Sequence, residues 1–308
     1  MIEIINPENE QAWLEARLKD VTSTEVSALF GISPYMTPFE LWHRKKDAVV
    51  VRLDPNERMF WGTKLQDAIA TAVAEEQGWK IRRMTEYMRD TEVRMGASFD
   101  FDIGDSFNVD QRGLLEIKNV DGLVFLNEWT NDEKGLQAPL HIEIQVQQEL
   151  ACSGRGYCYL CALVGGNRLE KVKRTRDEAV IQAIKNKVAD FWASIEANTP
   201  PPPDFQADAE FIGKLFGYAE PGKVLNVVEN AEILNKAVEY RALGETVKSA
   251  DARREAIKAE LLTMVGDAEK IIGAGFSIDA GITSGAHVEY DRAPFRRFKV
   301  SWKKEKKA

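Results

Sequence analysis

Two carboxylates and an amine define the chemistry to be weighed first. Asp100 closes one strand-like run, and after a turn-rich interval Leu114-Leu115-Glu116-Ile117-Lys118 forms the next. Side chains alternate along a strand, so Glu116 and Lys118 share one face and Leu115 and Ile117 the other. If the two strands pair as a hairpin, Asp100 approaches the polar face. Asp100 and Glu116 then offer hard oxygen ligands to Mg2+, with the Ile117 carbonyl as a third donor. Such a cation acidifies water and offsets charge on a phosphate under in-line attack. Lys118 is suited to orient that water or to balance the developing charge. Asp102 adds a carboxylate close by, either as an accessory ligand or as an ordinary turn aspartate. The competing reading of Glu116 and Lys118 is a solvated strand face, and only the surroundings decide between the two.

Those surroundings are mixed. Helical patterns cover about 7–19, then Thr22 to Gly31 behind the hydroxyls of Thr22-Ser23-Thr24, then a stretch opening at Thr37-Pro38. A fourth helix over about 55–77 places Leu65, Ala68, Ile69, Ala72 and Val73 on one face, and Gly78 suits its stop. The period then changes to strand-like near 79–84, 92–99 and 113–119. A helix near 138–152, strands near 156–164 and 168–174, and a helix over about 176–197 follow. Helices, a small mixed sheet and further strand–helix elements make an α/β or α+β domain.

A chain of 308 residues with 44% hydrophobic residues can bury a substantial core. No apolar run is long enough to span a membrane and the first residues lack a signal-peptide pattern, so a cytoplasmic protein is expected. Cys158 and Cys161 form a C-x-x-C inside the apolar run GYCYLCALV and are read as buried thiols. The net charge is -8, yet residues 291–308 hold eight Lys/Arg against two Asp/Glu. The acidic remainder argues against a protein that simply coats DNA. Four prolines, Pro200 to Pro203, cannot continue a helix. They divide the chain into a domain over 1–199, a linker over 200–206 and an appended region over 207–308.

Several blocks resemble a known family. Gly96-Ala97-Ser98-Phe99-Asp100 with Leu115-Glu116-Ile117-Lys118 is similar to the G-A-[ST]-P-D…[IL]-E-[IVF]-K core of the YqaJ-type viral recombinases. These are relatives of the bacteriophage lambda exonuclease within the PD-(D/E)XK class. Trp13-x-x-x-Arg17 with Val21-Thr22-Ser23-Thr24 resembles the family's W-x-x-x-R-x-x-x-[IV]-T-[AG]-S. Ser33-Pro34-Tyr35-x-Thr37-Pro38-x-x-Leu41-Trp42, Trp61-Gly62 and Gln145-Val146-Gln147 with Leu150 resemble three further blocks in the same order. The resemblance implies a restriction-endonuclease-like core, a central mixed sheet flanked by helices, that digests double-stranded DNA from its ends with Mg2+ or Mn2+. It implies that Asp100, Glu116, Lys118 and Gln145 form the catalytic centre and that Arg17 and Thr24 hold a terminal 5′ phosphate, a role for which a guanidinium fork is well shaped. Residues two apart on a helix do not share a face, so one of Gln145 and Gln147 faces the centre while the other packs. Gln145 is the one expected at the site.

The chain also departs from the family pattern. Gln66 stands where the family has an acidic residue near the metal, and Asp67 beside it points about 100° away on a helix. Either Gln66 contributes its amide, or Asp67 takes over in a shifted register, or one metal position is weak. Phe99 replaces the usual proline and Phe101 the usual glycine. Three cysteines exclude the iron–sulfur branch of related nucleases.

In the appended region, Ile233, Ala237, Tyr240, Leu243, Val247, Ala250, Ile257, Leu261 and Met264 follow a three–four spacing, a coiled-coil-like stripe with Arg254 in its gap. One helix over 228–265 would run about 55 Å; a break at Gly244 would give a helical hairpin. Strand-like pieces near 269–279 and 284–303 follow, the latter alternating Phe298, Val300 and Trp302 with Arg297, Lys299 and Lys303. This region is expected either to contact DNA or dock a recombination partner, or to be an ordinary strand with a solvated tail. Family habits imply a single-strand annealing protein as partner and a trimer-like ring of identical copies. The leading expectation is a phage or prophage exonuclease, 5′ to 3′, working in a bacterial host's cytoplasm. The alternatives are an endonuclease using the same residues and a non-catalytic DNA-binding recombination factor.

Overall fold

The computed structural model describes residues 1–48, 56–104, 112–133, 135–287, 289 and 295–301. In chain order its elements are β1 (Ile2–Ile5), α1 (Glu10–Leu18), β2 (Val21–Thr22), α2 (Val26–Leu29), α3 (Pro38–Lys46), α4 (Glu57–Gln77), β3 (Ile81–Arg83), β4 (Tyr87–Asp90), β5 (Met95–Ser98), β6 (Phe101–Ile103) and β7 (Gly113–Val120). There follow α5 (Gly122–Glu128), β8 (Thr130–Asp132), β9 (Gly135–Gln137), α6 (Leu140–Ser153), β10 (Tyr157–Val164), β11 (Arg168–Thr175), α7 (Glu178–Glu196), α8 (Ala209–Leu215), α9 (Ala231–Val265), β12 (Lys270–Gly273) and β13 (Phe276–Asp279).

The strands form a mixed sheet in the order β11-β10-β7-β6-β3 and a second sheet in the order β1-β4-β5-β2. Strand β7 is the pivot. It pairs antiparallel with β6, Phe101 opposite Leu115, and parallel with β10, Glu116 opposite Leu160. Parallel neighbours need a crossover, and the segment from α5 to α6 provides it. Period-two alternation then sorts β7 by face. Leu115 and Ile117 join a cluster with Ile69, Ala70 and Val73 of α4. Leu114 joins a second cluster with Val146 and Leu150 of α6. Helices therefore cover both faces of the mixed sheet, the restriction-endonuclease-like α/β arrangement expected. Leu115 and Leu150 are fully buried, each stabilising the fold by about 1.5–3 kcal/mol relative to exposure.

Some local expectations are corrected. The chain builds two sheets in this part rather than one, because it steps from β5 of one to β6 of the other across Phe99-Asp100. The strand β4 lies in a stretch, Tyr87–Asp90, where Arg89 and Asp90 blur the apolar alternation. The buried face of α4 is Ile69, Ala70, Val73 and Ala74, not one including Ala68 and Ala72. Alanines on both flanks made the stripe ambiguous, and the observed rotation turns Gln66 inward. The second helix is only the single turn α2, whose N-cap is Glu25 without a side-chain bond to the helix. Gly78 ends α4 in the left-handed conformation, φ 67°.

Contacts divide the chain into Met1–Ile212 and Gly213–Ala308. The first unit thus continues past the proline run. Buried Asp208 accepts a hydrogen bond from the Thr37 hydroxyl, and the Phe211 ring meets Phe39 at 6.2 Å. In the second unit α9 is one uninterrupted helix of 35 residues through Gly244, and β12 and β13 form a hairpin. The described residues between 284 and 301 include no strand; Trp302 and Lys303 lie outside the described residues.

Candidate active site

Asp100 sits one residue before β6, so the register that sets Phe101 against Leu115 carries Asp100 to Glu116 on β7. The backbone locks it there. Its carboxylate accepts from the Ile117 N–H at 2.8 Å, and its carbonyl accepts from the Met84 N–H at 3.0 Å. The Gln66 side-chain amide of α4 donates to its other oxygen. Glu116 is 6% exposed. Its Oε1 accepts from Lys118 Nζ at 2.8 Å and from Gln145 Nε2 at 2.9 Å. Gln145 Oε1 in turn accepts from Lys118 Nζ at 3.2 Å. Glu116, Lys118 and Gln145 thus share one hydrogen-bonded cluster, with Asp100 held beside it by Gln66 and the Ile117 N–H.

Burial pushes the Asp100 carboxyl above the usual carboxylate range, and the adjacent Glu116 adds to the rise against the opposing pull of the Ile117 N–H and Lys118. For Lys118, burial works against the charge, but the Glu116 carboxylate and its hydrogen bond outweigh it, so the ammonium is held above the ordinary lysine range. The site therefore combines a crowded carboxyl pair with a fixed cation.

The other expected residues separate cleanly. Gln147 turns away from the centre: its Nε2 donates to the Thr175 carbonyl at 2.9 Å and its Oε1 accepts from the Asp177 N–H at 2.9 Å, tying β11 to α7. Asp67 is exposed and pairs with Arg83 at 2.7 Å, which also donates to Gln66 Oε1 at 3.1 Å. Between the two neighbours on α4, Gln66 is the one beside Asp100. Asp102 belongs to strand β6 rather than a turn. Arg155 clasps it with two bonds of 3.0 and 3.1 Å, and Arg112 and Arg82 add charge. That cage makes it a structural carboxylate rather than an accessory ligand.

Arg17 and Thr24 also meet. The guanidinium reaches Thr24 Oγ1 at 3.2 Å and Thr22 Oγ1 at 3.4 Å and lies over the Trp13 ring at 4.3 Å. The Thr24 hydroxyl does not cap α2, since Glu25 holds the N-cap position. A cation and two hydroxyls therefore meet in the turn between α1 and α2, groups whose chemistry suits a phosphate.

Sequence reading missed Ser23 and Glu149. Glu149 is 1% exposed on α6, one turn beyond Gln145. Its Oε1 accepts from Gln145 Nε2 at 2.8 Å and from the Ser23 hydroxyl at 3.3 Å, while Oε2 has no hydrogen-bond partner. Burial, then Glu116, push its carboxyl well above the usual range. The signal available was a glutamate four residues after Gln145 inside an otherwise buried helix. Ser23 lies between Thr22 and Thr24, so Glu149 connects the turn of Arg17 and Thr24 to Gln145.

The hard oxygens gathered at the centre are the carboxylates of Asp100 and Glu116. Among the described residues no group of three or more His, Cys, Asp or Glu is arranged to hold an ion. Few hard oxygens suit Mg2+, which retains several waters, and not a thiolate- or imidazole-bound ion. Cys158 and Cys161 pack into clusters on opposite faces of β10 and share no site.

A mixed sheet that brings an acidic pair and a lysine together at one hairpin is the arrangement that the resemblance to the PD-(D/E)XK class implied. Residues 12–156 match the model of the YqaJ-like viral recombinase domain, and every candidate site residue just described lies inside that match. The uncharacterized protein YqaJ of Bacillus subtilis (strain 168) is 25% identical over 261 residues, covering 83% of this chain and 78% of that protein. Among solved structures, the alkaline exonuclease LHK-Exo of Laribacter hongkongensis is 23% identical, with 67% of this chain and 99% of that chain covered and a TM-score of 0.47. A phage related exonuclease from Haemophilus somnus 129PT is 11% identical, with 62% and 96% covered and a TM-score of 0.41.

Proposed function

We propose that the chain is a metal-dependent exonuclease that digests double-stranded DNA from its ends, 5′ to 3′, in phage-type recombination. The observation that carries this reading is the Lys118 ammonium fixed between Glu116 and Gln145, beside the half-buried Asp100. Nothing in a solvated strand face requires such an arrangement. The family match and the meeting of Arg17 with Thr24 support it.

Mg2+ or Mn2+ would be held by Asp100, Glu116 and the Ile117 carbonyl, and when bound supplies Lewis-acid stabilisation of phosphate charge and a more acidic water. The rest falls to the chain. Lys118 presents an N–H donor toward charge developing on the scissile phosphate. Gln145 holds Lys118 and Glu116 at fixed separation. Gln66 donates to Asp100 and so aims its free lone pairs. Arg17 and Thr24 grip a terminal 5′ phosphate, which sets the end of the duplex relative to the carboxyl pair and gives polarity. A cytoplasmic location and an annealing-protein partner belong to the same proposal.

The test compares end-labelled linear duplex with closed circular DNA in the presence of Mg2+. Release of nucleotides from the linear form alone, lost on Asp100→Ala, supports the reading; Arg17→Ala should level the rates on 5′-phosphorylated and 5′-hydroxyl ends. Circles cleaved as fast as linear DNA would mark an endonuclease. Equal background release by wild type and Asp100→Ala would mark a non-catalytic DNA-binding factor.

A further inference from the structure

The region 213–308 exposes apolar surface without an interior of its own. None of its described residues is fully buried, and α9 buries none along its length. Leu243, Val247 and Met264 are 59%, 61% and 77% exposed. From Tyr240 onward the large apolar side chains fall three and four apart, with Leu262 and Val265 off the line. Tyr240, Val247, Arg254 and Leu261 take the first seam position of a heptad, and Leu243, Ala250, Ile257 and Met264 the second. That is the repeat of a two-stranded coiled coil. The Phe298 ring meets Tyr240 at 5.5 Å, at the beginning of the stripe. Leu243 to Met264 stay open to solvent among the described residues.

The flanking charges identify the occupant and its direction. In a parallel pair, the residue before each first seam position faces the residue after the following second seam position of the partner. That would set Arg253 against Lys258 of the second copy, a like-charge contact. In an antiparallel pair, equivalent flanks face one another. Arg253 then meets Glu260 of the second copy and Lys258 meets Asp251 of the second copy, and the two-fold axis makes each attraction twice. The same register stacks Arg254 on Ile257, Ala250 on Leu261 and Val247 on Met264, small against large. Arg254 covers the seam with its stem while its guanidinium stays wet. In the single chain these charges form exposed intrahelical pairs, Arg253–Glu260 at 2.9 Å and Arg254–Asp251 at 3.3 Å, which are weak and free to exchange partners.

We propose that α9 binds α9 of a second copy as an antiparallel two-stranded coiled coil, its dyad between Glu255 and Ala256. The interface is isologous and closes on two copies, unlike the trimer-like ring that the family resemblance implies.

Sedimentation equilibrium of the full chain, across micromolar concentrations and at low salt, tests it. The expected mass is twice 34.7 kDa. Arg253→Glu should weaken the dimer at least tenfold by facing Glu260 with its own sign, and Arg253→Glu combined with Glu260→Arg should restore it. Leu261→Glu should give monomer with unchanged helical content by circular dichroism. A wild-type monomer at these concentrations, or a three-fold mass, overturns the proposal. So does tighter association of Arg253→Glu alone, since that is what a parallel pair would show.

Discussion

At the residue scale, Glu116, Lys118, Gln145 and Glu149 form one connected set of hydrogen bonds, and its members should fail differently. On the proposed mechanism, Lys118→Ala removes a donor that acts on charge appearing in the transition state. The rate should fall about 10²-fold or more while affinity for duplex ends is kept, as single-turnover kinetics beside fluorescence anisotropy would show. An equal loss in affinity would assign Lys118 to ground-state binding. Glu149 makes a pH prediction. Its folded carboxyl is raised by burial and by Glu116, so the folded state holds a proton that the unfolded chain gives up near the ordinary carboxylate range. The stability this contributes is complete below that range and is lost as pH rises toward the folded value. In metal-free protein, Glu149→Gln should therefore gain in Tm relative to wild type as pH is raised from 5 to 8. A difference that stays flat across that window would place the proton elsewhere.

At the element scale, β5 and α6 hold the two sheets in register around the site. Gly96 has no side chain because the Tyr87 ring crosses it: a Cβ there would lie 2.0 Å from the Tyr87 oxygen. That hydroxyl is pinned by its bond to buried Asp20 at 3.1 Å. Gly96→Ala should cost about 1–3 kcal/mol as an overpacked core position, read by urea denaturation; an unchanged midpoint would mean that the ring swings freely. The elements that were legible in the sequence are those whose pattern is local. The alternation of Leu114 to Lys118 placed β7, and Gly78 marked the end of α4. The parts that were not legible depend on contacts distant in sequence. Nothing near Asp102 announces Arg155, which lies 53 residues away. Nothing near Glu149 announces Ser23, 126 residues away. The glutamine pair was separable because a helix turns 100° per residue, which puts Gln145 and Gln147 on different sides.

At the scale of the whole molecule, the first unit owns the clustered interior and the second does not. The stretch from Phe216 to Asn230 has no helix or strand, and Phe216, Tyr218, Val224 and Leu225 are exposed in it. Limited trypsin digestion should therefore cut at Lys223 before sites in the helices and strands of the first unit, leaving a stable product that begins at Met1; mass spectrometry identifies it, and an initial cut within α6 or α7 would contradict the division. No helix among the described residues is long and apolar enough to cross a membrane. The burial of Cys152, Cys158 and Cys161 also has a practical consequence. Burial raises all three thiols above their usual range, so maleimide dyes should pass over them in the native protein. A single cysteine introduced on the outer side of α9 or beside Thr24 would take up label alone, and one fluorophore could report helix pairing or arrival of a DNA end with no native thiol removed.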